Sequence, residues 1–313
     1  MKPVKVDGSA SGRRIALVTG GTDGIGKAIA LVLAKAGVDV IIIGSIGEKG
    51  TAVANELQAA SGDCHVEFLQ ADLSLMSNVD ALAAQVSARW PRLHYLVLCA
   101  GVMCGRYTRT AEGIETNFAL NYLSRFALTE ALLPCLVASG DSDDVSRILV
   151  IGGAAQNGKI QYEDVNLTKR FGILRVVSQF CEANDEFVLE LSRRIAAAHS
   201  SSHVTVTGLK VGVVRTGIRR QFPLWMKLLV PLLDPFLSRS PKQIAASALH
   251  LLLGPKFEGE TGALFLHIKH FKRLQPGRHT SDPAQGQKLW DFSRRLIAQA
   301  RTVNANCVPC TNC

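Results

Sequence analysis

Apolar residues fall along this chain in two alternating rhythms. Short, nearly continuous β-branched runs, such as "RIALVTG", "VDVIIIG", "LHYLVLCAG", "SRILVIGG" and "HVTVTGLKVG", read as strands buried on both faces. Between them lie longer stretches with helical spacing. "IGKAIALVLAKAG" places Ile25, Ile29, Val32 and Leu33 on one face and stops at Gly37. "KGTAVANELQAASG" predicts a second helix ending at Gly62, followed by a strand in "VEFLQADL" and a helix in "NVDALAAQVSARW". A long helix is predicted over about 112–137, and another over "QFCEANDEFVLELSRRI", where Phe187, Val188, Leu191 and Ile195 form the apolar stripe. A helix over 241–253, a strand in "TGALFLHI" and a final helix in "DPAQGQKLWDFSRRLIAQA" complete the pattern. Strand–helix alternation of this kind predicts an α/β fold, a doubly wound parallel sheet with helices on both faces. No linker splits it, so residues 14–300 are expected to form one domain. Residues 1–13 are expected to be a flexible segment, 221–240 an apolar lid, and 301–313 a cysteine-containing tail.

Composition narrows the class. The 313 residues are 47% hydrophobic, which suits a packed globular chain. No apolar run approaches the length of a membrane span, and "MKPVKVDGSASGRR" lacks the apolar core of a secretory signal. Eight cysteines spread through the chain fit reduced, buried thiols in a cytoplasmic protein better than a disulfide framework. The formal charge of +9 comes from scattered pairs (Arg193-Arg194, Arg219-Arg220, Lys272-Arg273), not from one dense basic block, so nucleic-acid binding is not expected. Cys307, Cys310 and Cys313 have metal-like spacing but supply only three ligands at a terminus. Zinc takes four, and no metal is expected there.

The first candidate chemistry is "LVTGGTDGIGKAIA". Gly20, Gly24 and Gly26 follow a strand and open a helix. Glycine is needed where a chain turns sharply, approaches a pyrophosphate and packs helix on strand. Thr22, Asp23 and Ile25 lie in the same loop. The phosphates would rest on the free N–H groups at the helix start. The second strand ends in Gly44-Ser45 with no acid at its tip to read a ribose 2′-hydroxyl. Ser45 and Lys49 are available to a 2′-phosphate, so NADP is favoured over NAD.

These residues carry a resemblance to the short-chain dehydrogenase/reductase family, in its retinol-dehydrogenase-like branch, over about residues 14–296. Thr19-Gly20-x3-Gly24-Ile25-Gly26 is similar to the family's cofactor loop. Asp72, followed by Leu73, matches the acid that meets the adenine ring. Cys99-Ala100-Gly101 stands in the family's Asn-Ala-Gly position. Asn121 in "FALNYLSRF" matches the active-site Asn, and Thr216 in "VGVVRTGI" matches the residue at the nicotinamide carboxamide. The resemblance implies a seven-stranded parallel sheet, a hydrophobic alcohol or carbonyl substrate, and a dimer or tetramer paired through the fourth and fifth helices. The apolar 225–237 stretch reads evenly as core packing or as a lid over a greasy substrate that could also touch a membrane surface.

The departures are as informative. The family uses a Tyr as acid or base, a Lys four residues on, a Ser that orients the carbonyl and an Asn that holds a relay water. Here the Tyr position falls on Cys181, the Lys position on Asp185 and the Ser position on Gly153. A one-residue slip gives Phe180 and Asn184, which serve no better. Only Asn121 of the four is kept. Arg125, four residues beyond Asn121, and Lys210, at the end of the sixth strand, are candidate electrophiles; Tyr162 and Lys159 lie in a loop that could swing over the pocket. Asp185 is then an acid/base or an anchor, with Arg125 or Lys210 as partner. The competing expectation is a structural Arg125–Asp185 ion pair in a vacated site. Three functional readings follow: an oxidoreductase with a rebuilt site, a cofactor-binding isomerase, cyclase or dehydratase, and a nucleotide-binding pseudoenzyme.

Overall fold

The computed structural model describes residues 12–140, 144–200, 202–212, 239–268 and 270–305. The expected lid (nearly all of 221–240), Thr216 and the three tail cysteines lie outside them.

The β-branched runs form one eight-stranded sheet in the order β3-β2-β1-β4-β5-β6-β7-β8. The strands are β1 (Ile15–Thr19), β2 (Asp39–Gly44), β3 (Val66–Gln70), β4 (Tyr95–Leu98), β5 (Ser146–Gly153), β6 (Val204–Val211), β7 (Ala263–His267) and β8 (Phe271–Leu274). β1 to β7 are parallel, and β8 pairs antiparallel with β7. The expected seven-stranded parallel sheet thus gains an antiparallel edge. An antiparallel neighbour needs only a hairpin, so 268–270 suffice where another parallel strand would need a crossover. The ring of Phe271 stacks on Phe265 of β7, with centroids 5.2 Å apart.

Alternate residues of each strand point to opposite faces. Leu17, Ile41, Ile43, Leu96 and Ile148 pack under one layer, with helices α3 (Met76–Arg89), α4 (from Thr116–Phe118 through Ser124–Val137), α5 (Ile173–Ala198) and α8 (Pro283–Ala305). Ala16, Val18, Ile42, Val97 and Leu149 pack under the other, with α1 (Gly24–Lys35), α2 (Gly47–Ser61) and α6 (Pro241–Leu253). A single turn, α7 (Arg278–Ser281), precedes α8.

Helix α4 is less regular than its sequence predicts. It begins at Thr116 and not at 112, as the turn Thr116–Phe118, passes through a π-helical turn at Ala119–Leu123, and continues as Ser124–Val137. The acids assigned to its start do other work. Glu112 accepts from the backbone N–H groups of Met76 and Ser77 and so caps α3, and Glu115 caps α4 through the N–H groups of Asn117 and Phe118. The π turn carries Asn121, as such turns often do at functional sites. Helix α5 extends two turns upstream of the predicted stretch and buries its expected stripe of Phe187, Val188, Leu191 and Ile195.

Candidate active site

The chain starts at β1, moves outward through β2 and β3, then crosses back to β4. The strand order therefore reverses between β1 and β4, and in such sheets ligands bind outside the carboxyl ends of the strands at that point. A cleft of about 400 Å³ opens there. Every cofactor residue read from the sequence that lies among the described residues lines it.

Its floor is the β1–α1 turn: Gly20, Thr22, Asp23, Gly24, Ile25 and Gly26. Gly20 has φ +67°, a conformation glycine adopts at little cost. A Cβ on it would meet the backbone of Ala100 at 2.9 Å, and a Cβ on Gly26 would overlap the carbonyl of Gly20. The backbone is as close as glycine permits, and this is the surface a pyrophosphate needs. Asp23 caps α1 by accepting from Gly24 N–H at 2.7 Å. Thr19 Oγ1 accepts from the N–H groups of Cys99 (2.9 Å) and Ala100 (3.1 Å), which fixes β1 against the strand end opposite.

One wall is the tip of β2, where Ser45 and Lys49 stand at the rim with Gly44 and Ile46. Lys49 Nζ lies 2.5 Å from Asp23 Oδ2 across the rim. Both groups are substantially exposed, so the pair is weak and open to competition by an anion. Asp72 and Leu73 line the cleft with Ala71, and Asp72 Oδ1 accepts from Ser74 N–H at 3.0 Å. Cys99, Ala100 and Gly101 form the far wall with Val102 and Leu120. The Cys99 thiol is pushed up to about 11 by burial, so it is neutral and apolar in character. The sequence had not singled out Gly44, Ile46, Ala71, Val102 or Leu120; they are neighbours in space of residues it did.

The candidate catalytic residues lie beyond Gly101 and do not line this cleft. Asn121 spans the gap to it. Its Oδ1 accepts from Val102 N–H (3.1 Å), and its Nδ2 donates to the carbonyls of Val102 and Asn117. Asn184 Nδ2 donates to the Asn121 carbonyl at 2.9 Å. A side chain thus occupies the carbonyl at the position the family uses to hold its relay water.

Arg125 does not pair with Asp185. Its Nη1 donates to the Ile151 carbonyl (2.7 Å) and Asn184 Oδ1 (3.1 Å), and its Nη2 to the Ala100 carbonyl (2.9 Å). Burial lowers its guanidinium to about 10. Arg125 and Asp185 are both on inward faces, but the two Nη groups tie the ends of β4 and β5 together, and Nε is left without a partner. The sequence could not rank these carbonyls against Asp185.

The partner of Asp185 is Lys210. Lys210 Nζ donates to Asp185 Oδ2, with the lysine 1% and the aspartate 7% exposed. Burial raises the Asp185 carboxyl to about 6, against the opposing pull of Lys210. A cation from β6 thus pairs with the carboxylate at position 185. Cys181 sits one helical turn before Asp185. A Cβ on Gly153 would lie 2.9 Å from its Sγ, so the two face each other as the family's Tyr and Ser positions would. Its thiol is pushed up to about 11, chiefly by burial, and is neutral near physiological pH. Tyr162 does not reach over the cleft: its ring packs edge-on to Phe292 of α8 at 5.1 Å, with Lys288 Nζ 4.2 Å from its centre.

Comparison with known proteins matches this fold. The short chain dehydrogenase family profile covers residues 14–163. The human polyprenol dehydrogenase is 31% identical over 281 residues, spanning 90% of this chain and 84% of that protein. Retinol dehydrogenase 14 of Mus musculus is 31% identical over 301 residues, spanning 90% and 85%. Among solved structures, the RhlG/NADP active-site complex of Pseudomonas aeruginosa superposes with a TM-score of 0.66 at 26% identity, covering 85% of this chain and 97% of that one.

Proposed function

Because the chain belongs to the short-chain dehydrogenase/reductase family, a family of oxidoreductases, we propose that it binds NADP(H) and interconverts a hydrophobic alcohol and its carbonyl through a rebuilt site. What supports the reading most is the cleft at the β1/β4 reversal, where glycines at positions 20 and 26 leave room that any Cβ would fill.

The residues present fit a dinucleotide. The N–H groups at the start of α1 hold the pyrophosphate, and Asp72 accepts from the adenine edge. Ser45 and Lys49 take the 2′-phosphate, Lys49 exchanging Asp23 for it. The absence of an acid at the β2 tip favours NADP over NAD, and a relative at 26% identity is described with NADP. Bound, the nicotinamide supplies the hydride donor or acceptor. Asp185 and Lys210, buried as a pair off the lining of the cleft, would anchor α5 to β6 behind the site, the ammonium fixing the carboxylate. Arg125 holds the strand ends, and so the wall at Ala100, in place. The substrate class follows from the names of the relatives, polyprenol and retinol dehydrogenases, both of which denote hydrophobic alcohols. Such substrates suit action at a membrane surface, with the protein peripheral to it. Among the described residues no helix is long and apolar enough to cross one.

A second reading has its own observation. Cys181 is 1% exposed and its thiol neutral, and Asp185 and Lys210 neutralise each other. A protein that binds the nucleotide without turning over, or uses it for a non-redox step, would look the same. Titration with NADPH and with NADH, followed by nicotinamide fluorescence and then by a panel of hydrophobic aldehydes and ketones, separates the cases. Tighter binding of NADPH with turnover supports the first reading. Binding without turnover moves the assignment to the second. Absence of binding refutes both.

A further inference from the structure

The face of α5 next to the Cys181–Asp185 face carries Glu182 and Glu186. They are four residues apart and therefore stacked on one side of the helix, and they are 1% and 0% exposed. Opposite them, on α7, stands His279. One ligand atom from each of the three lies within 4.8 Å of the others. Glu186 Oε1 is 3.7 Å from His279 Nε2, and neither Glu186 oxygen has a hydrogen-bond partner. A carboxylate this deeply buried without a donor is costly. A second orphan lies nearby: the Tyr162 hydroxyl is buried and unpaired, within electrostatic reach of both glutamates.

Glu182 is held differently. Its Oε2 accepts from Gly158 N–H at 2.9 Å and its Oε1 from Thr280 Oγ1 at 2.6 Å. Each oxygen keeps a free lone pair while the carboxylate is fixed in orientation. Thr280 follows His279 directly, so the same hydrogen bond pins the turn that carries the imidazole. Outer partners of this kind commonly orient metal ligands. Zinc bonds nitrogen and carboxylate oxygen at about 2.0–2.1 Å, which sets ligand–ligand edges near 3.3 Å in a tetrahedron. The Glu186–His279 separation is already close to that edge.

We propose that Glu182, Glu186 and His279 bind one divalent cation of the zinc type, at a site separate from the nucleotide cleft. Two buried carboxylates and one imidazole form a hard-to-borderline donor set suited to Zn²⁺ or Co²⁺ and less to Ca²⁺, which takes six or more oxygens. Water would complete the coordination, and the nearby unpaired Tyr162 hydroxyl would be available to donate to it. The cation ties α5, the helix that carries Cys181 and Asp185, to the turn leading into α8. The proposal does not depend on the redox reading of the cleft.

The test uses the full-length protein, stripped with chelator, dialysed, and titrated with Co²⁺ while the visible absorption is followed. Variants are Glu186→Gln, His279→Ala and the triple Cys307→Ser/Cys310→Ser/Cys313→Ser. His279 is exposed, so its alanine variant keeps the fold even if Glu186→Gln does not. The expected result is one equivalent of cobalt giving ligand-field bands without a thiolate charge-transfer band. Binding is unchanged in the triple serine variant and weakened at least roughly tenfold in Glu186→Gln and His279→Ala. Chelator then lowers the melting temperature of the wild type and not of His279→Ala. Retention of cobalt affinity in both His279→Ala and Glu186→Gln overturns the proposal. So does loss of binding in the serine variant alone, which assigns the metal to the tail, or no stoichiometric binding by the wild type.

Discussion

Removing one member of the Lys210–Asp185 pair is the sharpest test of how the site is built. Lys210 is 1% and Asp185 7% exposed, so neither charge can turn to water without opening the sheet. Among the described residues, the hydrogen bonds of the pair run only to one another. Asp185→Asn keeps the shape and leaves an ammonium buried without a counter-charge; Lys210→Met leaves a carboxylate. Breaking a buried pair from one side costs about 3–5 kcal/mol. For a chain of this size roughly 2 °C of melting temperature corresponds to each kcal/mol, so each single variant should melt about 5–10 °C lower. The double variant Asp185→Leu/Lys210→Met removes both charges and fills the space with carbon. It should recover most of the loss, because desolvating two ions offsets much of their attraction. Urea denaturation of these proteins, with Asp185→Leu added as the single variant that closes the cycle, gives the coupling energy. Single-variant costs below ~1 kcal/mol, the range of exposed pairs, would refute the reasoning, as would a double variant no better than its parents.

Two further outcomes follow from the backbone. Gly26→Ala drives a Cβ into the Gly20 carbonyl and should weaken NADPH binding at least tenfold, about 1.4 kcal/mol, by fluorescence titration; unchanged affinity would mean the nucleotide lies elsewhere. Gly153→Ser restores the family's hydroxyl but places its Cβ 2.9 Å from Cys181 Sγ, an overpacking that should cost about 1–3 kcal/mol in urea, and Cys181→Ala in the same chain should relieve it.

The residues that line the cleft were legible in the sequence because their placement is local. Gly20, Gly24 and Gly26 are fixed by one turn, and Ser45 and Lys49 by the strand and helix on either side of them. The rest of the site was legible only as a list. Asp185 and Lys210 are 25 residues apart and meet because α5 packs on β6; Arg125 had three buried carbonyl and amide acceptors to choose from, and nothing in its spacing favoured them over a carboxylate. The Glu182–Glu186 face was hidden because burial of a glutamate, and the approach of His279 from another helix, are tertiary facts. β8 escaped notice because "FKRL" is short and half charged, and β7 alone supplies its register.

That short strand determines what the sheet does at its border. A sheet of parallel strands that simply stopped at β7 would offer its outer row of N–H and C=O groups to the strands of other molecules. β8 covers that row and presents Lys272 and Arg273 instead, with Arg273 held 2.9 Å from Glu260. Paired strands that carry charge at the rim resist edge-to-edge aggregation. A chain with this much apolar strand sequence is therefore insulated on that side, and truncating or neutralising 271–274 would convert a monomer-compatible border into an adhesive one.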